Sequence, residues 1–307
     1  MIYLFLCLGL LILLGGGKFL VDGASSIALK FGLSQGFIGL TIVAFGTSAP
    51  ELLVSLNAAL DGKSDIAIGN VIGSNIANIS LVLGISATLF PIKINSSVFK
   101  VDYIVLIFSS LIFYILSLNG IISRLEGFAL LFILILINIY FFFKLGKATA
   151  GDLEGDLILP LPIWKSLFFL CLGIFGLYYG ADLFVESAVG IASIFGVSER
   201  IIGITVIAIG TSLPEMATSV IAAVNKKTDI AVGNIIGSNI MNILAIIGAT
   251  AAISPIPVSE GFLNQDFYWM LGLTIVLFPI LKSGDRVSRI EGMFLFVAYF
   301  TYIFIIL

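Results

Sequence analysis

Long apolar runs alternate with short polar breaks along the whole chain. A helix crossing the roughly 30 Å hydrocarbon layer of a membrane needs about 20 mostly apolar residues. Ten such windows, cut at charged or turn-forming clusters, fall near residues 2–25, 36–60, 66–90, 101–118, 124–144, 164–190, 200–224, 229–253, 267–282 and 289–306, and each reads as one membrane span. The longest connector, Lys144 to Pro162, carries Gly, Pro and three acidic residues and reads as a linker between two halves of five spans. The expected architecture is an all-α integral membrane protein, with a first five-helix unit at 1–144, a cytoplasmic linker at 145–162 and a second unit at 163–307. The first apolar run lacks a basic leader and a convincing small-residue cleavage site, and it has a counterpart in the second half, so it is read as a helix rather than a signal.

Composition narrows the function. Of 307 residues, 60% are hydrophobic and 11% charged, against about a quarter charged in soluble domains, so the apolar excess must face lipid. That excludes an ordinary water-soluble enzyme. A formal charge of −3 with no basic block excludes a nucleic-acid partner. There is no His, and the two Cys, Cys7 and Cys171, sit in separate apolar runs without ligand spacing. No zinc, haem or thiol chemistry, and no cofactor, is expected.

The halves are copies of one another. Displaced by 164 residues, Gly39–Gly84 aligns with Gly203–Gly248 without a gap, and 25 of the 46 pairs are identical. The same register pairs Ala24, Ile27, Ala28, Phe31, Gly32 and Ser34 with Ala188, Ile191, Ala192, Phe195, Gly196 and Ser198. An odd number of spans per copy makes corresponding helices cross in opposite directions, so the repeat is expected to be inverted. Loops on the side of the N-terminus carry three basic residues and those on the other side eleven, with Lys18 left inside the first span. By the positive-inside rule both termini lie outside the cell membrane.

Inverted repeats place ion sites near the midplane, where broken helices of the two copies meet. The second span contains GLTIVAFGTSAPE, ending at Glu51, and the seventh contains GITVIAIGTSLPE, ending at Glu215. Pro50 and Pro214 remove a backbone donor and free the carbonyls of Gly46 and Gly210, breaking both helices. A carboxylate at this depth costs about 2.5–3.5 kcal/mol or more, and no Lys or Arg lies at matching depth. A bound cation is the simplest compensation; the competing reading is a protonated Glu hydrogen-bonded between helices. Freed carbonyls, the hydroxyls of Thr47, Ser48, Thr211 and Ser212 and the two carboxylates are hard oxygen donors, suited to Ca²⁺ and Na⁺. Spans three and eight repeat GNxIGSNIxN, placing Asn70, Ser74 and Asn78, and Asn234, Ser238 and Asn242, on one helical face. The glycines at 69 and 73, and at 233 and 237, permit close helix approach. Ligation is expected of Ser74, Ser238 and the central pair Asn78 and Asn242; Asn70, Asn75, Asn234 and Asn239 read equally as interhelical glue.

The paired GTSxPE and GNxIGSNIxN stretches resemble the alpha repeats of the sodium/calcium exchanger family, within the cation/calcium antiporters. The likeness rests on spans one to three and six to eight; the other four agree in number and length alone. It implies that Glu51, Glu215, Thr47 and Thr211 hold Ca²⁺. It further implies that Ala44, Thr47, Ser48, Glu51, Ser74, Ala208, Thr211, Ser212, Glu215 and Ser238 hold Na⁺. Spans one and six are implied to slide past the remaining bundle, and Gly15 to Gly17 and Tyr179-Gly180-Ala181 fit a smooth sliding face. Asn242 stands where several exchangers carry Asp, which argues against potassium co-transport. The expected activity is exchange of Na⁺ for Ca²⁺ by alternating access, with both ions competing for one oxygen cage. The alternative is a Ca²⁺/H⁺ antiporter using the same two glutamates. A channel would need no counter-ion, and an intramembrane enzyme lacks a paired-Asp or Ser-His pattern. The partners expected are the two cations and the lipid bilayer, and a monomer is compatible with the sequence.

Overall fold

The computed structural model describes residues 2–95, 98–147, 161–196, 208–284 and 286–306. These are almost wholly helical: α1 (Ile2–Phe31), α2 (Gln35–Thr47), α3 (Ala49–Leu60), α4 (Ser64–Leu89), α5 (Lys100–Ser117), α6 (Arg124–Leu145), α7 (Ile163–Ile194), α8 (Ala208–Thr211), α9 (Leu213–Val224), α10 (Thr228–Ile253), α11 (Phe267–Lys282) and α12 (Arg289–Ile306). Seven of them, α1, α4, α5, α6, α7, α10 and α12, are long and apolar enough to cross a membrane, and α2 with α3 makes an eighth if that bent pair is one span. Of the remaining two expected spans, α11 has 16 residues and follows a π-helical turn at Phe262–Asp266. The other is α9, and residues 200–207 of its expected window lie outside the described residues.

Burial sorts the helices into a core and a rim. Of the most apolar window of α10, 94% is buried, against 11% for α6. A helix apolar on all sides yet uncovered by protein must meet lipid; Leu125, Phe128, Phe132 and Phe143 of α6 are all more than half exposed. Helices α4 and α10 instead run through the middle, each with a π-helical turn, Asn78–Val82 and Asn242–Ile247.

Helices α1 and α7 form one antiparallel pair. Along the seam Gly9 meets Phe184, Leu13 meets Gly180, Gly16 meets Leu177, Leu20 meets Gly173 and Gly23 meets Leu170. The glycines recur every seven residues and face backbone, so a Cβ on Gly173 or Gly180 would stand 2.5 Å from the amide nitrogen of Leu20 or Leu13. These two helices, which the 164-residue displacement matches, thus run in opposite directions. Gly15, which points off the seam, has nothing within 4 Å of a built Cβ.

The duplication reaches further than the motifs that revealed it. Four two-residue strands, β1 (Ile92–Lys93), β2 (Ile121–Ile122), β3 (Ile256–Pro257) and β4 (Arg286–Val287), pair crosswise, β1 with β4 and β2 with β3, both antiparallel. Each ladder joins one strand from each half. Immediately after β2 and β4, Ser123 with Glu126 and Ser288 with Glu291 make the same reciprocal bonds, capping α6 and opening α12. Ser-Arg-Leu-Glu-Gly at 123–127 and Ser-Arg-Ile-Glu-Gly at 288–292 repeat at 165 residues rather than 164, which is why a fixed displacement passes over them.

Candidate ion-binding site

Helix α2 stops at Thr47, Ser48 takes φ −86° and ψ 4°, and α3 starts at Ala49 with Pro50 and Glu51 in its first turn. The axes on either side of Ser48 differ by 46°. Ser212 repeats this with φ −89° and ψ 5°, followed by Pro214 and Glu215 at the start of α9. Proline is tolerated in a first helical turn because its missing donor would be unpaired there, so the Pro fixes where each new helix begins. A second irregularity, the π turn Gly39–Val43, lies upstream of the first break.

The two breaks abut. Ser48 Oγ donates to Glu215 Oε1 at 3.1 Å, linking the first break to the carboxylate of the second. Thr47 Oγ1 lies 3.1 Å from Asn234 Oδ1, 3.2 Å from the Ala44 carbonyl and 3.3 Å from Ser238 Oγ. Helix α2 reaches α10 through glycine: a Cβ on Gly233 would lie 2.8 Å from the Gly36 carbonyl, and one on Gly237 2.5 Å from that of Leu40. Gly69 and Gly73 of α4 meet no backbone among the described residues; the matching stretch of the second copy, 200–207, lies outside them.

Both glutamates are fully buried, at 0% exposure. Asn70 Nδ2 donates to the Glu51 carbonyl at 3.1 Å and to Ser55 Oγ at 2.8 Å, and Asn234 Nδ2 to the Glu215 carbonyl at 3.4 Å and Ser219 Oγ at 3.0 Å. These asparagines hold the backbone under each carboxylate. The carboxylates themselves are poorly served: among the described residues Glu51 Oε1 and Oε2, and Glu215 Oε2, have no hydrogen-bond partner, nor do the buried oxygens of Ser74, Ser212, Asn78 and Asn242. The ion pairs among the described residues, Lys63–Asp61 and Lys227–Asp22, involve neither glutamate. Buried polar oxygens left without donors are costly. An arrangement of acceptors and hydroxyls around two carboxylates suits a hard cation.

Of the expected ligands, Ala44, Thr47, Ser48, Glu51, Ser74, Ser212, Glu215, Ser238, Asn78 and Asn242 are all buried in this region. Ala208 opens α8, and Thr211 lines a cavity of about 300 Å³ with Pro50, Leu53, Asn57, Asp182 and Pro214. The cavity runs from the breaks toward Asn57 and Val185. Farther along α1, Lys227 Nζ meets Asp22 Oδ1 at 3.6 Å. Sequence reasoning passed over Ser55 and Ser219, although both are identical across the repeat.

Two copies of one broken-helix motif, each burying a glutamate in a multi-pass membrane protein, fit one class, a cation/Ca²⁺ antiporter, and comparison with known proteins agrees. The profile of the family described as "Sodium/calcium exchanger protein" matches residues 1–143 and 165–307. CaxA of Alkalimonas amylolytica is 41% identical over 310 residues, covering 97% of this chain and 96% of that one. The sodium/calcium exchanger MaX1 of Methanosarcina acetivorans is 34% identical over 344 residues, covering 99% and 98%. The solved sodium-calcium exchanger NCX_Mj, soaked with Na⁺ and Sr²⁺, superposes with a TM-score of 0.85 at 31% identity over 99% of this chain and 98% of that one. The chain belongs to the sodium/calcium exchanger family, whose members are transporters rather than enzymes and carry Na⁺ and Ca²⁺ as substrates.

Proposed function

We propose that this protein exchanges Na⁺ for Ca²⁺ across the cell membrane by alternating access, both cations competing for the one cage. The observation that carries this reading is the pair of fully buried glutamates on symmetric helix breaks, the breaks joined by the Ser48–Glu215 bond, with three of the four carboxylate oxygens lacking donors among the described residues. Ca²⁺ is held by Glu51, Glu215, Thr47 and Thr211. Na⁺ is held by Ala44, Thr47, Ser48, Glu51, Ser74, Ala208, Thr211, Ser212, Glu215 and Ser238, with Asn78 and Asn242 completing the polar centre. The membrane frame is ten spans in two inverted units, 1–144 and 163–307, joined by a cytoplasmic linker at 145–162, with both termini outside.

Charge supplies the mechanism. Two carboxylates neutralise one Ca²⁺ or share several Na⁺, so one ion must leave before the other binds. An empty cage leaves two like charges in low dielectric, which opposes return of the unloaded carrier and makes antiport obligatory. The likeness to the sodium/calcium exchangers MaX1 and NCX_Mj supports sodium as counter-ion. In proteoliposomes at fixed pH, an outward sodium gradient is expected to drive uptake of radiolabelled Ca²⁺. Uptake that follows an imposed proton gradient and ignores sodium would replace this reading with Ca²⁺/H⁺ antiport.

A further inference from the structure

At the centre of the bundle, four asparagines from the two copies form a reciprocal pair of hydrogen bonds. Asn78 Nδ2 donates to Asn239 Oδ1 at 3.1 Å, and Asn242 Nδ2 donates to Asn75 Oδ1 at 3.2 Å. Under the 164-residue displacement one bond maps onto the other. All four side chains are at most 2% exposed. Asn78 and Asn242 each open a π-helical turn; the turn at Asn242 packs against α3, which carries Glu51, and that at Asn78 against α9, which carries Glu215.

An amide is two-faced. Its oxygen is a ligand for a hard cation and its NH₂ group repels one, and the two are nearly the same size. A carboxylate at these positions would present oxygen either way round, whereas an amide must be pinned. Asn239 and Asn75 do the pinning: by accepting from Nδ2 they commit that end of the Asn78 and Asn242 amides, so Oδ1 faces away from the bond. Both of those oxygens are buried and without a hydrogen-bond partner. Asn75 is itself oriented, since its Nδ2 lies 3.8 Å from Met270 Sδ. The residue matching Met270 in the first copy is Leu106, which offers no acceptor, and Asn239 Nδ2 has no partner among the described residues.

We propose that Asn75 and Asn239 are positioning residues, which turn the amide carbonyls of Asn242 and Asn78, rather than their NH₂ groups, toward the transported cation. The proposal rests on the exchange reading above. Its test is a double-mutant cycle, which separates action through a partner from independent packing. In proteoliposomes, Asn239→Leu is expected to raise the half-saturating Ca²⁺ concentration roughly tenfold with less than about a twofold change in maximal rate. The same substitution made in an Asn78→Ala background is expected to add nothing. Asn75→Leu, alone and with Asn242→Ala, repeats the test on the other arm and decides it if Asn239→Leu does not fold. Equal losses with and without the partner, unchanged half-saturation, or failure of both leucine variants to fold would assign the four amides to packing and overturn the proposal. Wild-type vesicles in the same assay separate the two levels: without sodium-dependent uptake the exchange reading itself falls, whereas normal uptake with additive losses removes only the positioning role.

Discussion

Glu51→Gln and Glu215→Gln are each expected to abolish sodium-driven Ca²⁺ uptake while making the ion-free protein harder to melt. The first effect follows from charge. Removing one partner from a buried ionic cluster costs about 2–5 kcal/mol of binding, so Ca²⁺ affinity should fall by roughly thirtyfold or more. The second follows from the unpartnered oxygens: in the absence of ions both carboxylates are fully buried and largely without donors, and a neutral amide of the same shape removes part of that desolvation penalty. Thermal melting in detergent checks both. Wild type should gain stability as Ca²⁺ is added, because the ion binds only the folded form; each variant should start higher and show no Ca²⁺-dependent shift. Variants that melt lower and retain uptake would remove these side chains from the cage.

Gly173→Val is expected to cost about 3 kcal/mol or more, through overpacking against a neighbouring backbone. Lipid is as apolar as a leucine side chain, so helix association in a membrane depends on close packing rather than on hydrophobic exclusion. The α1–α7 seam has little room to yield, since the nearest atom to a new Cβ at 173 is the Leu20 amide nitrogen, at 2.5 Å. Gly15→Val is the matched control: it lies on the same pair and meets nothing within 4 Å. The yield of monodisperse protein and its melting temperature should drop sharply for Gly173→Val and little for Gly15→Val. Equal tolerance of the two would show that the seam does not hold the helices together.

The apolar windows and the 164-residue repeat were legible because both are written directly in residue order, and the Pro-Glu breaks at 50–51 and 214–215 followed from proline chemistry. What was hidden was pairing between the copies. No local pattern tells Ser48 that its partner is Glu215, or Asn78 that its partner is Asn239, since residues 161 or 167 positions apart meet only through the tertiary arrangement. The sequence left Asn75 and Asn239 undecided between ligand and glue; in the fold each accepts from an amide of the other copy. The π turns were illegible for a different reason: their side chains suit an ordinary α-helix equally well, and one extra residue in a turn leaves no mark in composition. The match of β2 with β4, and of the helix caps after them, was missed because a one-residue insertion shifts their register.

The crossed ladders, in which β1 takes β4 and β2 takes β3, also mean that peptide connectivity between residues 147 and 161 is not what keeps the halves together. The seam of α1 with α7, the Ser48–Glu215 bond and both asparagine bonds all survive a cut there. Two polypeptides, 1–147 and 161–307, made in the same cell should therefore copurify as a stoichiometric complex, whereas either fragment alone would leave a strand edge, a glycine stripe and a single carboxylate uncovered and should be degraded.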